Sequence, residues 1–172
     1  NLMYNRQHPN AVYQGVSTVI TGMCGLGYAP MKPEYFEEAM KVNAGLFTNV
    51  SEYLPRWETF GEFLHYLNGC AVNVGANVTH NAIRQMATGF SSEPLRGKAL
   101  EIAKSELEKS FEEGAVGFSV GLSYYPGSYS DTDELIELCK VVKKYDGVFC
   151  VHLRLNIFGP EFDPLQEMVR VA

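Results

Sequence analysis

Residues 115–151 read AVGFSVGLSYYPGSYSDTDELIELCKVVKKYDGVFCV, and this stretch decides the fold. Ala115 to Val120 is a short apolar run and predicts a strand. Gly121 to Ser130 is a loop holding three tyrosines. Asp131, with Glu134 three residues on, marks the capped start of a helix that runs through Tyr145. Val148 to Val151 predicts the next strand. A strand, a helical crossover and a second strand imply parallel pairing, because a parallel connection needs a dozen or more residues.

Working outward, the same alternation repeats. Pro94 to Glu113 predicts the longest helix, with Leu100, Ala103, Leu107 and Phe111 on one stripe and Gly114 closing it. Ala71 to Val78 (AVNVGANV) alternates with period two and predicts a strand, followed by a short helix over Asn81 to Ala87. Thr59 and Glu62 form a capping box that opens a helix to about Asn68. Val16 to Thr21 is β-branched, ends at Gly22 and predicts the first strand. A Gly- and Pro-rich loop, Met23 to Pro33, separates it from a helix over Glu34 to Val42. Asn43 to Pro55 carries no clear signal, and Pro164 starts a final helix. The fold class is α/β, with either a doubly wound sheet or part of a (β/α) barrel. A complete barrel takes eight strands and typically ~250 residues. This sequence of 172 residues supplies four.

A sequence that is 46% hydrophobic and 20% charged, with 16 Gly and 8 Pro, is neither disordered nor collagen-like. A chain of this length buries roughly 70% of its extended surface, so residues 1–172 form one domain with a real core. No apolar run approaches the ~18 residues of a membrane span. No basic stretch followed by an apolar one comes after Asn1, so no secretion signal is expected in these residues. Fourteen Lys and Arg against 20 Asp and Glu give a net charge of -6, with no basic patch for nucleic acid. Cys24, Cys70, Cys139 and Cys150 match neither a zinc knuckle nor a disulfide scaffold, and are expected to be reduced thiols in the cytoplasm.

In parallel α/β folds, active sites lie at the carboxyl ends of the strands. The residues that follow the four predicted strands are Met23 and Cys24, Thr79 and His80, Tyr124 and Tyr125, and His152 with Arg154. Chemistry-bearing side chains therefore gather on one face. Cys24 and His152 could bind one zinc ion, at roughly 2.3 Å for sulfur and 2.0–2.1 Å for nitrogen. They could equally be a thiol nucleophile and its imidazole base. Cys24 could also be just a small residue in a tight turn. His80 could polarise a substrate or satisfy a local hydrogen bond in the core. Tyr124 could donate to a substrate carboxylate or pack in its loop. Arg154 could bind a carboxylate bidentately or pair with a nearby acid. His65 is placed mid-helix and His8 in a loop. Gly22 to Gly27 lacks the GxGxxG register of a dinucleotide loop, and no Walker, GxSxG or HExxH motif is present.

Several of these segments resemble one family in the same order. Gly15 to Ile20 (GVSTVI), Met23-Cys24-Gly25 and Ala29-Pro30 are similar to its "GVTTVV…NCG…AP" stretch. Asn73 to Arg84 (NVGANVTHNAIR) is similar to its "GH…LR" segment. Gly114 to Tyr124 is similar to "GAxGxSTGLxY", with Pro126-Gly127 after it, and Val151 to Arg154 to the "HMR" motif. The family is the D-aminoacylases, N-acyl-D-amino-acid deacylases of the amidohydrolase superfamily. The resemblance implies a partial (β/α)8 TIM-type barrel of a metal-dependent hydrolase. It places Cys24 and His152 on zinc-ligating positions and Tyr124 on a residue that holds the substrate carboxylate; His80 and Arg154 join Tyr124 as candidate substrate contacts. The implied reaction is hydrolysis of an N-acyl-D-amino acid to a carboxylate and a D-amino acid.

The resemblance also implies missing parts. The family's HxH motif is expected just before Asn1, and a further histidine ligand and the general-base aspartate beyond Ala172. No catalytic base is therefore assigned within the chain. Met23 stands for the usual Asn, Thr79 for a Gly, Tyr125 for a Pro, and Leu155-Asn156 for more polar residues. The chain is expected to be strands two to five of a larger barrel, completed by flanking sequence or by another chain, with homo-oligomers possible. A catalytically inactive half-barrel and a metal-free Cys–His amidase are the alternatives.

Overall fold

Four parallel strands are laid down in sequence order, β1-β2-β3-β4, with a helix-bearing crossover between each pair. The computed structural model describes residues 2–3, 5–44, 57–155 and 163–172. Most of the unassigned stretch 43–55, and Asn156, lie outside these. Strand β1 is Thr18–Thr21, β2 Asn73–Thr79, β3 Gly117–Gly121 and β4 Val148–His152. The register pairs Thr21 with Ala76, Thr79 with Ser119 and Gly121 with His152. Such a sheet with sequential order is the unit from which a TIM-type barrel is built.

Strands β1, β2 and β3 start two residues later than their sequence patterns predict, and β4 starts at Val148 as expected. The helices follow the predicted pattern closely: α2 Phe36–Ala44, α3 Phe60–Tyr66, α4 His80–Thr88, α5 Gly97–Glu112, α6 Thr132–Lys144 and α7 Pro164–Val171. A short α1, Pro9–Val12, lies where only a loop was expected. The Thr59 capping box is present in full: its hydroxyl accepts from the Glu62 N–H, and the Glu62 carboxylate accepts from the Thr59 N–H. Asp131 caps α6 by accepting from the Glu134 N–H at 3.0 Å.

All five residues of β3 are buried, as expected for a strand covered on both faces. Ala103, Leu107 and Phe111 of α5 pack into the same core as Phe118, Val120, Leu135 and Leu138. The predicted stripe therefore faces the sheet. Strands β1 and β4 form the two edges, and Ile20, Val148 and Val151 remain exposed there.

Candidate active site

The segment between β1 and α2 carries Cys24 and is fixed by glycine. Gly22 and Gly25 adopt φ of 74° and 69°, the left-handed region that glycine enters freely. Cys24, between them, has φ 57°. A side chain in that region costs roughly 1–2 kcal/mol, so a glycine would serve this turn better. Its thiol is thus the feature that the turn retains at a cost.

This turn does not stay beside β1. It reaches across β2 to the end of β3. The Gly25 N–H donates to Ser119 Oγ at 3.1 Å, and the Asn81 N–H donates to Gly25 O at 3.2 Å. A Cβ on Gly121 would come within 1.9 Å of Cys24 O, so only glycine admits this approach. Gly121 is in turn the register partner of His152, and the Leu122 N–H donates to His152 O at 3.0 Å. Two residues 128 positions apart in sequence are thereby seated on either side of one glycine.

Tyr124 completes the group. Its ring meets the His152 ring edge-on, with centroids 4.8 Å apart, and its hydroxyl lies 3.4 Å from His152 Nδ1. That contact leaves His152 Nε2 without a hydrogen-bond partner among the described residues. A soft thiol and an imidazole nitrogen are a donor set suited to zinc. No third His, Cys, Asp or Glu joins them among the described residues.

Cys24 and Tyr124 also line a cavity of about 660 Å³ that extends along β1 toward α3. Leu26, Phe60, Phe63 and Leu67 make its walls apolar. Thr79 lines it as well, and its buried hydroxyl has no partner. His8 also lines the cavity, while His65 is exposed on α3.

Two of the nominated substrate contacts, His80 and Arg154, are buried and bonded within the chain. His80 is fully buried at the start of α4 and donates from Nε2 to Glu134 Oε1 at 2.8 Å. Glu134 also accepts from Arg84 Nη1, at 2.8 and 2.7 Å, and from the Leu95 N–H at 2.7 Å. Burial lowers the His80 pKa and keeps the ring neutral. Burial alone would raise Glu134, but the His80 hydrogen bond, the Arg84 charge and the Leu95 N–H overcome it and hold the carboxyl at about 2. Arg154 is 7% exposed, and all three of its nitrogens are engaged. It pairs with both Glu167 oxygens at 3.2 Å and donates to Ser128 O and Ser130 O at 2.8 and 2.9 Å. Both side chains are thus buried and bonded to other parts of the chain. Sequence reasoning did not select Asn81, whose role rests on contacts made far along the chain.

The fold and site define a class: one half of a parallel (β/α) barrel with its reactive groups at the carboxyl ends of the strands. Within that class the chain is similar to the D-aminoacylases. It is 27% identical over 155 residues to a D-aminoacylase of Alcaligenes xylosoxydans xylosoxydans, covering 89% of this chain and 31% of that protein. It is 29% identical over 157 residues to an N-acyl-D-aspartate deacylase of the same organism, covering 88% and 30%. The solved structure of a D-aminoacylase mutant in complex with copper chloride matches with a TM-score of 0.80 at 26% identity, covering 99% of this chain and 35% of that one. The chain thus spans about a third of the length of the curated relatives it matches. No protein-family profile matches the sequence. No helix among the described residues is long and apolar enough to cross a membrane.

Proposed function

We propose that this chain forms part of the catalytic barrel of a zinc-dependent deacylase that hydrolyses the amide bond of N-acyl-D-amino acids. The observation that carries the proposal is the seating of Cys24, Tyr124 and His152 around Gly121, with Cys24 held in a turn that would suit glycine better. Cys24 Sγ and His152 Nε2 would hold the metal, and the solved copper complex of a similar D-aminoacylase mutant supports a metal cofactor. When bound, the ion supplies Lewis-acid polarisation of the scissile carbonyl and a lowered pKa for the attacking water.

The protein's own groups have separate tasks. Tyr124 donates its hydroxyl to the substrate carboxylate and fixes which end of the molecule faces the metal. Its ring packs against His152 and holds the imidazole plane, as outer contacts of a metal-bound histidine do. The apolar cavity beside Cys24 excludes water from one flank of the site. The general-base aspartate and the remaining ligands come from the rest of the barrel, in flanking sequence or another chain. Substrates are small N-acyl amino acids rather than nucleic acid. The four unpaired thiols favour the cytoplasm.

The test uses the full-length protein with N-acetyl-D- and N-acetyl-L-amino acids, following amine release. Turnover of the D-series alone, lost with chelator and restored by zinc, is the expected result. Absence of turnover by the zinc-loaded protein on any N-acyl-D-amino acid overturns the proposal. Chelator-resistant turnover that alkylation of Cys24 abolishes would identify a metal-free cysteine amidase instead.

A further inference from the structure

The loop between β3 and α6 carries Tyr124, and a side chain of α4 bonds the part that follows it. Asn81, in the first turn of α4, is 3% exposed. Its Nδ2 donates to Tyr125 O at 3.0 Å, and its Oδ1 accepts from the Gly127 N–H at 2.9 Å. The planar amide thus bonds the backbone on both sides of Pro126. A Cβ on Gly127 would lie 2.7 Å from Asn81 Oδ1, so the loop is seated closely on it. The backbone N–H of Asn81 donates to Gly25 O, which belongs to the Cys24 turn. One residue therefore ties together the two segments that bring Cys24 and Tyr124 to the same place.

We infer that Asn81 is a positioning residue that sets Tyr124 for recognition of the substrate carboxylate. The inference rests on the reading of the site given above. Only an amide meets the requirement. A carboxylate in its place would set an oxygen against Tyr125 O, and an apolar group would leave a buried N–H and C=O without partners. Arg154 holds the far end of the same loop through Ser128 O and Ser130 O, but it does not touch the residues next to Tyr124. The Tyr124 backbone is bonded within the loop, to Gly121 O and the Ser128 N–H, and Ser123 Oγ donates to Leu153 O, while the Asn81 contacts at Tyr125 and Gly127 tie the segment just after Tyr124 to α4.

The experiment is a double-mutant cycle in the full-length protein with Tyr124→Phe, Asn81→Ala and the pair, with the crystal structure of Asn81→Ala beside it. Losing one hydrogen bond to a charged group raises KM about tenfold in each single variant, with kcat within about twofold. The pair is expected to be no worse than Tyr124→Phe, because Asn81 acts through Tyr124. Multiplying effects in the pair, or an unchanged KM in Asn81→Ala, overturn the inference. If Asn81→Ala does not fold, the isosteric Asn81→Asp takes its place in the cycle and the crystal, with the same expectations. If the wild-type protein shows no deacylase turnover, the deacylase reading fails and the crystal structure alone decides this inference. A Tyr124 ring displaced from its 4.8 Å packing on His152 then sustains the positioning role, and an unmoved ring refutes it.

Discussion

At the scale of single residues, Cys24 separates stability from function. Its left-handed φ means that Cys24→Gly relieves strain, and a gain of up to roughly 1 kcal/mol in unfolding free energy is expected. The same change removes a metal donor, so metal content and turnover of the full-length protein should fall by more than about 100-fold. Urea titration and metal analysis on one preparation check both halves. A Cys24→Gly protein that is less stable, or that retains its metal, contradicts this account. That Cys24, Tyr124 and His152 gather in one place was legible in the sequence, because each follows a predicted strand and strand ends converge. His80 and Arg154 satisfied the same rule, and in the structure both are buried and bonded to acidic side chains. What occupies them are the buried carboxylates of Glu134 and Glu167, which come from other elements and carry no local sequence signal.

At the scale of elements, the α4–α6 contact rests on one buried carboxylate. Glu134 has its pKa depressed from 4.5 to about 2 in the folded protein, so its ionised form stabilises the fold above the unfolded value. That contribution, on the order of 3 kcal/mol, is lost as pH falls from about 4.5 toward 2. His80 acts in the same direction: its pKa is also depressed by burial, so stability begins to fall once pH drops below the ordinary histidine value of 6.5. Denaturant midpoints measured from pH 7 to pH 3 should decline, and Glu134→Gln should flatten the lower part of that decline. A slope unchanged by Glu134→Gln would show that the carboxylate does not control it. The α3 cap makes a simpler case. Thr59→Ala should cost about 1 kcal/mol, since it leaves the Glu62 N–H without its acceptor. This cap was legible because Thr59 and Glu62 are three residues apart. The short α1 was not, because a single turn closed by local hydrogen bonds to His8 O and Pro9 O is too short to show a period.

At the scale of the whole molecule, parallel pairing followed from the lengths of the crossovers, whereas the sequential strand order did not, and the approach of the Cys24 turn to β3 depends on glycine–backbone contacts invisible in composition. The described sheet leaves β1 and β4 as open edges with Ile20, Val148 and Val151 exposed. Such edges template association. The 172-residue chain produced alone should therefore sediment as oligomers and hydrolyse no N-acyl-D-amino acid; a monodisperse, active monomer would contradict both expectations. The reach of the Cys24 turn across β2 has a consequence for how the sheet opens. Gly25 is bonded to Ser119 on β3 and to Asn81 on α4, so edge strand β1 is not free to peel away by itself. Unzipping from that side must also disrupt the centre of the sheet. In native-state hydrogen exchange, the amides of Gly25 and Asn81 should then report the same opening free energy as those of β3, marking one cooperative unit where the strand order alone would suggest a frayed border.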